Sequence, residues 1–273
     1  MGTPISGSLA VVTGAGSGIG RATAEALAKE GATVLCVDIN EVAAKETAAA
    51  LGGHAAAYTV DVSDAVAMEA LATSVIEEHG VPDIVVNNAG IGMSGSFLDT
   101  SPADWDAIIG VNQRGVINGC AAFGPAMIER GRGQVVNVAS GLGMIPTAAT
   151  PAYCTTKAAV LQLSRCLRAD WASKGVGVTA ICPGFINTPI AQNTRYLGAG
   201  SEKARSMAEK GFARAHPPSS VANAIISSIK RNRSIVPTGA ETWIGWYAVR
   251  FLPTPVLDVV GSLVARAGAR RLG

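Results

Sequence analysis

Charge is scarce in this chain of 273 residues: Asp, Glu, Lys and Arg make up 15%, against 48% hydrophobic residues. So apolar a composition excludes a disordered chain and predicts a large buried core with a surface prone to self-association. The formal net charge is +2, so no global field recruits a polyanion, and nucleic acid is not an expected partner. Histidine is rarer still, at His54, His79 and His216, and neither H-E-x-x-H nor G-x-S-x-G occurs. These gaps argue against a metal-dependent or serine-nucleophile hydrolase, and no metal is expected. The five cysteines, Cys36, Cys120, Cys154, Cys166 and Cys182, are odd in number and form no C-x-x-C pair. That is the pattern of reduced thiols in a cytoplasmic protein. Two uncharged stretches, 133–156 and 175–194, carry Pro, Gly, Ser, Thr and Asn throughout, so neither predicts a membrane span. The first residues lack the basic and apolar segments of a secretory signal.

What the sequence does contain is alternation. Short β-branched runs at Leu9–Thr13, Thr33–Val37, Ala56–Val60, Asp83–Asn87, Gln134–Val138, Gly177–Ile181 and Ser234–Val236 predict strands. Between them, Thr23–Glu30, Glu41–Leu51, Ala65–His79, Pro102–Gln113, Gly115–Arg130, Ala152–Ser173 and Val221–Lys230 predict helices. Each parallel crossover needs a helix to return the chain, so the fold class is α/β, a doubly wound seven-stranded parallel sheet in a single domain. Gly31 reads as a helix stop, Ser63 as an N-cap, and Ser101-Pro102 as a helix start. Residues 195–220 break the alternation and read as a lid, within a stretch of about 185–220, over the carboxyl edge of the sheet, where α/β proteins bind ligands.

The first strand runs into a glycine-rich turn that carries Gly14, Ser17, Gly18, Ile19 and Gly20, and then into a helix. Glycines let the backbone approach a pyrophosphate, and the helix N-terminus offers N–H groups and a positive dipole end. Asp38 ends the second strand, 18 residues after Gly20. A carboxylate there can accept hydrogen bonds from ribose hydroxyls and repels a 2′-phosphate, and neither Ser17 nor Ile39 is basic. The expected cofactor is NAD rather than NADP.

The segment from Thr13 to Gly20, Asn87-Asn88-Ala89-Gly90, Ser140 and Tyr153-x-x-x-Lys157 together resemble the short-chain dehydrogenase/reductase family in its main, shorter type. The resemblance covers residues 5–240 and implies a Rossmann-like oxidoreductase. It implies that Asp61 and Val62 hold the adenine, and that Asn88, Ala89 and Gly90 line the adenosine side. Pro183, Gly184, Ile186 and Thr188 would contact the nicotinamide end. Asn112 would hold a proton-relay water through a local helix distortion, and Lys157 would also hold ribose.

Tyr153 and Lys157 stand four apart and project from one helix face. A phenol is a poor base at neutral pH, but an adjacent ammonium and an oxidised nicotinamide favour the phenolate, which allows proton exchange with an alcohol or ketone. Ser140 can bond the same substrate oxygen and orient it. The flanking Leu142, Met144, Ile145, Phe185 and Ile190 suggest a hydrophobic secondary alcohol or ketone as substrate. The competing reading is a catalytically silent NAD(P)-sensing protein or scaffold of the same fold; an intact Ser140, Tyr153 and Lys157 set argues against it.

Residues 1–239 would form the dehydrogenase domain and 240–273 a helical extension. From Ile225 to Gly273 there are seven basic residues against two acidic ones. Among them lie Trp243, Ile244, Trp246, Tyr247, Phe251, Leu252, Val256, Leu257, Val260, Leu263 and Val264 at helical spacing. Two readings stay open: a tail that packs on the body or on another subunit, or one that seats the chain peripherally on an anionic membrane. Self-association into a homodimer or homotetramer is expected through the small residues Gly115, Gly119 and Ala122 of one helix and Ala158 and Ala159 of another.

Overall fold

Each β-branched run becomes a strand of one parallel sheet in the computed structural model, which describes residues 2–53, 55–257 and 259. The first half of the chain contains β1 (Leu9–Thr13), α1 (Gly18–Lys29), β2 (Thr33–Asp38), α2 (Glu41–Leu51), β3 (Ala55–Thr59), α3 (Ala65–His79), β4 (Ile84–Asn87), β5 (Met93–Ser94) and α4 (Pro102–Ile109). A π-turn (Gly110–Arg114) joins α4 to α5 (Gly115–Arg130), followed by β6 (Gly133–Val138), a 3₁₀ turn (Gly141–Gly143), α6 (Pro151–Trp171) and β7 (Val176–Pro183). Last come α7 (Ile190–Asn193), β8 (Arg195–Tyr196), α8 (Ser201–Phe212), α9 (Pro218–Arg231), β9 (Ile235–Thr238) and α10 (Ala240–Phe251).

The seven-stranded sheet has the order β3-β2-β1-β4-β6-β7-β9, and every pairing is parallel. Its order reverses between β1 and β4, which opens a crevice at the carboxyl ends of those strands. Both faces are covered, so the central strands are apolar on both sides. Leu27, Ile225 and Ile229 of α1 and α9 pack on Val12, Val34, Val86 and Val136. On the other face, Leu71, Val75, Phe123, Met127, Val160 and Trp171 pack on Val11, Leu35, Val85, Val135 and Val178.

Four local expectations are changed or sharpened. The N-cap of α3 is Asp64, whose carboxylate accepts from the Val66 and Ala67 N–H groups, while Ser63 donates its hydroxyl to Asp61 at 2.7 Å. A carboxylate accepts two such bonds at once and outcompetes the hydroxyl. The stretch 185–220, which breaks the strand–helix alternation, still carries α7, β8 and α8, and β8 pairs with β5 in a separate two-stranded sheet. Gly115 and Gly119 do not form an outward face. A Cβ on Gly119 would collide with the Asn87 amide, and one on Gly115 would stand 2.7 Å from Val62, so these glycines bring α5 close to its own sheet. Finally, α10 packs on the body, while Val260, Leu263 and Val264 lie outside the described residues.

Candidate active site

The cradle is built by backbone proximity. Gly14 and Gly18 take left-handed backbone, with φ of 65° and 52°, which L-residues with side chains adopt at a cost. A Cβ on Gly20 would collide with the Gly14 carbonyl oxygen, and one on Gly14 would stand 2.9 Å from Ala89 Cα. The loop is pinned to the end of β4: Thr13 Oγ1 accepts from the N–H groups of Asn88 (3.0 Å) and Ala89 (3.1 Å), and Asn88 Nδ2 donates to the Thr13 carbonyl at 2.9 Å. The same asparagine reaches the Gly14 carbonyl at 3.3 Å. Asn40, Asp64 and Ser101 cap the N-termini of α2, α3 and α4 with their side chains, whereas Ser17 makes no such bond at α1. The first N–H groups of α1 therefore face the crevice without a side-chain cap, beside the half-buried Ile19 and close to the methyl group of Thr188.

Asp38 holds the next corner. Its carboxylate accepts from the Gly16 N–H at 2.8 Å and the Asn40 N–H at 2.9 Å, which fixes an anion at the end of β2. Arg21 is turned away from it, donating to the Gly16 carbonyl at 2.7 Å and to Thr47 at 3.1 Å. Further along the edge, Asp61 accepts from the backbone and hydroxyl of Ser63. Val62 is buried against Gly115, and the Val62 carbonyl is held by Asn118 Nδ2 at 2.8 Å.

A second cluster sits across Gly90 from the cradle. Tyr153 lies in the first turn of α6, which opens on Pro151, and Lys157 follows one turn later. Lys157 is buried; its Nζ donates to the Val138 carbonyl at 2.9 Å and lies 5.8 Å from the centroid of the Tyr153 ring. Burial pulls the ammonium down to about 8. Burial also pushes the Tyr153 phenol up to about 12, opposed by a hydrogen bond with Ser140. Burial thus keeps the phenol neutral in the chain alone; the expected lowering invokes an oxidised nicotinamide as well as Lys157. Ser140, buried at the end of β6, also accepts from the Leu142 N–H at 3.1 Å, which opens the 3₁₀ turn.

Asn112 lies fully buried within the π-turn. Its amide brackets the Ile91 peptide, accepting from the N–H at 2.8 Å and donating to the carbonyl at 3.0 Å. A Cβ on Gly90 would stand 3.2 Å from Asn112 Oδ1 and 3.4 Å from Lys157 Nζ. Asn112, Lys157 and the Asn88-Ala89-Gly90 segment thus converge, joining cradle and cluster at one strand end.

Pro183 and Gly184 close the edge beside Ser140. Glu241 of α10 accepts from the Phe185 N–H at 3.0 Å, and Thr242 is buried against Gly141, which precedes Leu142 in the 3₁₀ turn. Beyond them, Ile186 is buried and bridges to His216 in the lid. The sequence reading missed Thr13, Asn118, Glu241 and Thr242 as positioning residues. Thr13, which opens the glycine motif, carried the clearest signal. Glu241 and Thr242 lie 56 and roughly a hundred residues from Phe185 and Gly141, the positions they pack against, and left none.

Fold and site together define a doubly wound α/β protein with a glycine cradle at the switch point and a Ser, Tyr, Lys and Asn cluster beside it. A family model described as short chain dehydrogenase matches residues 8–196. The chain belongs to the short-chain dehydrogenase/reductase family, a family of oxidoreductases that bind a nicotinamide cofactor. It is 48% identical over 255 residues to the probable oxidoreductase EphD of Mycobacterium tuberculosis, a match covering 90% of this chain but 43% of that protein. The chain thus spans less than half the length of that relative. It is 39% identical over 189 residues to D-threitol dehydrogenase of Mycolicibacterium smegmatis, covering 68% of this chain and 73% of that protein. Among solved structures, a short-chain dehydrogenase/reductase from Burkholderia phymatum in complex with NAD superposes with a TM-score of 0.84 at 29% identity, covering 90% of this chain and 93% of the other.

Proposed function

We propose that this chain transfers hydride between NAD(H) and a hydrophobic secondary alcohol or ketone, with Tyr153 as the acid and base. The observation that carries the reading is the convergence of Tyr153, Lys157, Ser140 and Asn112 on the strand ends that also form the cradle. The cradle fits a dinucleotide: Gly14 and Gly20, lacking Cβ atoms, let the loop fold tightly on itself and against the end of β4, and the start of α1 presents N–H groups to a pyrophosphate. Asp38 would accept from the adenosine ribose, Asp61 and Val62 would flank the adenine, and Pro183, Gly184, Ile186 and Thr188 would border the nicotinamide. When bound, NAD supplies the carbon that accepts or releases hydride.

The chain's own residues supply position and protons. Ser140 fixes the substrate oxygen, and Tyr153 gives it a proton in reduction or takes one in oxidation. Lys157 holds positive charge beside the ring and Asn112 shapes the proton path behind it. Leu142, Met144, Ile145 and Phe185 offer an apolar rim, which favours a hydrophobic substrate over a sugar or an acid. The carboxylate at Asp38 favours NAD over NADP, since a 2′-phosphate would meet an anion already held by two N–H groups. The NAD complex of the Burkholderia relative supports the same choice.

Screening hydrophobic secondary alcohols with each cofactor, by absorbance of the reduced nicotinamide, tests this reading. Turnover with NAD that is lost in Tyr153→Phe is expected. NADP-only activity would overturn the Asp38 argument, and equal turnover in the variant would overturn the mechanism. Binding of NAD without turnover of any alcohol would favour the silent sensor.

We also propose that the chain forms a homodimer or homotetramer through the outer faces of α5 and α6, where Ile117 is 41% exposed and Ala158 is exposed. A monomer in light scattering at micromolar concentration would overturn that.

A further inference from the structure

An amphipathic helix on a globular body ordinarily turns its apolar side inward. Helix α10 does the reverse. The side that meets the body presents Thr242 and Gly245, both buried. The outer side presents Trp243, Ile244, Tyr247 and Phe251, which are 38%, 70%, 52% and 78% exposed. At 100° per residue these four fall within an arc of about 100°. They form a ladder: the Trp243 and Tyr247 rings stack at 5.9 Å between centroids, and Tyr247 stacks on Phe251 at 6.2 Å. Leu252, Val256 and Val259 continue the exposed apolar surface past the end of the helix.

The charges around this ladder have one sign where they face outward. Arg250 lies at its edge, 3.7 Å above the Trp246 ring. Glu241, the acidic residue of α10, is turned inward to the Phe185 N–H. Arg250 is thus the charged side chain of α10 that borders the ladder. An apolar, aromatic surface bordered by arginine complements a bilayer with anionic headgroups: the rings enter the interface and the guanidinium stays at headgroup level. A helix of 12 residues is about 18 Å long, well short of the roughly 30 Å hydrocarbon core, so α10 would lie along the surface.

The position of α10 connects this surface to the site. Gly245 packs so tightly on Ile145 that a Cβ there would collide with its side chain. Ile145 and Phe185, 39% and 57% exposed, belong to the apolar rim beside Ser140 and Pro183. The helix that carries the ladder on its outer side therefore borders the mouth of the site with its inner side. We infer that α10 seats the protein on an anionic lipid surface and that the site draws a long-chain secondary alcohol or ketone directly from the bilayer. The substrate part of this inference rests on the dehydrogenase reading above; the membrane part does not.

Flotation of the full chain with vesicles of phosphatidylglycerol and phosphatidylcholine, and of phosphatidylcholine alone, tests it. The chain should float with the anionic vesicles and less with the neutral ones. The triple variant W243S/Y247S/F251S should lower the partition coefficient on the order of a hundredfold. Since the three side chains are exposed, its Tm and its turnover of a short, water-soluble secondary alcohol should stay unchanged, while turnover of a long-chain alcohol held in vesicles falls. Equal flotation of parent and variant, or flotation of neither, would overturn the inference. So would a parent oligomer that the variant dissolves without any flotation by the parent, which would make the ladder a contact between chains. Flotation with no turnover of either alcohol would support the membrane surface and overturn the dehydrogenase reading.

Discussion

Lys157 Nζ lies 5.8 Å from the Tyr153 ring centroid yet gives its hydrogen bond to the Val138 carbonyl at 2.9 Å. The ammonium is therefore tethered to the sheet, and its effect on the phenol acts through space. Because the phenol is pushed up to about 12 in the chain alone, it is ready to donate a proton and must be acidified before it can accept one. Alcohol oxidation should rise with pH and ketone reduction should fall. Tyr153→Phe should lose about two to four orders of magnitude in kcat/KM in both directions. Titration of tyrosinate absorbance, with and without NAD, should show one ionisation moving to lower pH when the cofactor binds.

Lys157 should cost stability. Burial lowers its pKa to about 8 from 10.5, so between those values the unfolded chain binds a proton that the folded chain lacks. Stability then rises with pH from about 8 to 10.5 as this penalty disappears. At neutral pH, Lys157→Met should raise Tm, with a gain of about 1–3 kcal/mol that exceeds the loss of the bond to Val138, while abolishing turnover. The advantage should shrink as the pH is raised through that window. Denaturant melts of both chains across it would check the sign.

Gly20→Ala should damage the cradle, because its Cβ would meet a backbone oxygen that cannot swing aside. Affinity for NAD should fall at least about tenfold, corresponding to 1.4 kcal/mol or more. Calorimetric titration measures this, and far-ultraviolet circular dichroism should stay close to that of the parent.

Of the five thiols, Cys166 is exposed and the other four are buried. Burial holds Cys36 up to about 11, and Cys120 and Cys182 up to about 12, so they stay protonated and slow to react. A thiol reagent should label one equivalent in the native chain and five after unfolding. Cys166→Ser should remove the native equivalent without loss of turnover.

The stretch read as a lid is fastened by Arg195, which pairs with the buried Asp104 at 2.6 Å beside the short β5–β8 pairing. Arg195→Ala should loosen the segment from β8 to α8, raising KM more than it lowers kcat. It should also speed limited proteolysis between residues 195 and 212. Unchanged cleavage would show that the backbone pairing alone holds the lid.

The strands were legible because a parallel sheet covered on both faces demands uninterrupted β-branched runs, and Val11–Val12, Val85–Val86 and Val135–Val136 supply them. The cradle was legible because a close backbone approach admits glycine alone at Gly14 and Gly20. Less could be read where two residues compete for one role. Asp64 rather than Ser63 caps α3 because charge wins the N–H groups, and Gly115 and Gly119 look the same in sequence whether they face a partner or the chain's own sheet. The helix distortion at Asn112, which the family resemblance implied, is a π-turn sustained by the distant Ile91 peptide.

The family resemblance pointed to Ser140, Tyr153 and Lys157, while local sequence, through periodicity and glycine spacing, determined the order of strands and helices and the glycine turn. Those properties depend on residues close together along the chain. Tertiary structure alone decided that Lys157 is buried and tied to the Val138 carbonyl, that Glu241 and Thr242 pack beside Phe185 and Gly141, and that α10 turns its aromatic side outward. Desolvation and helix orientation are set by what packs against a residue, and those neighbours come from parts of the chain that meet only in the folded state.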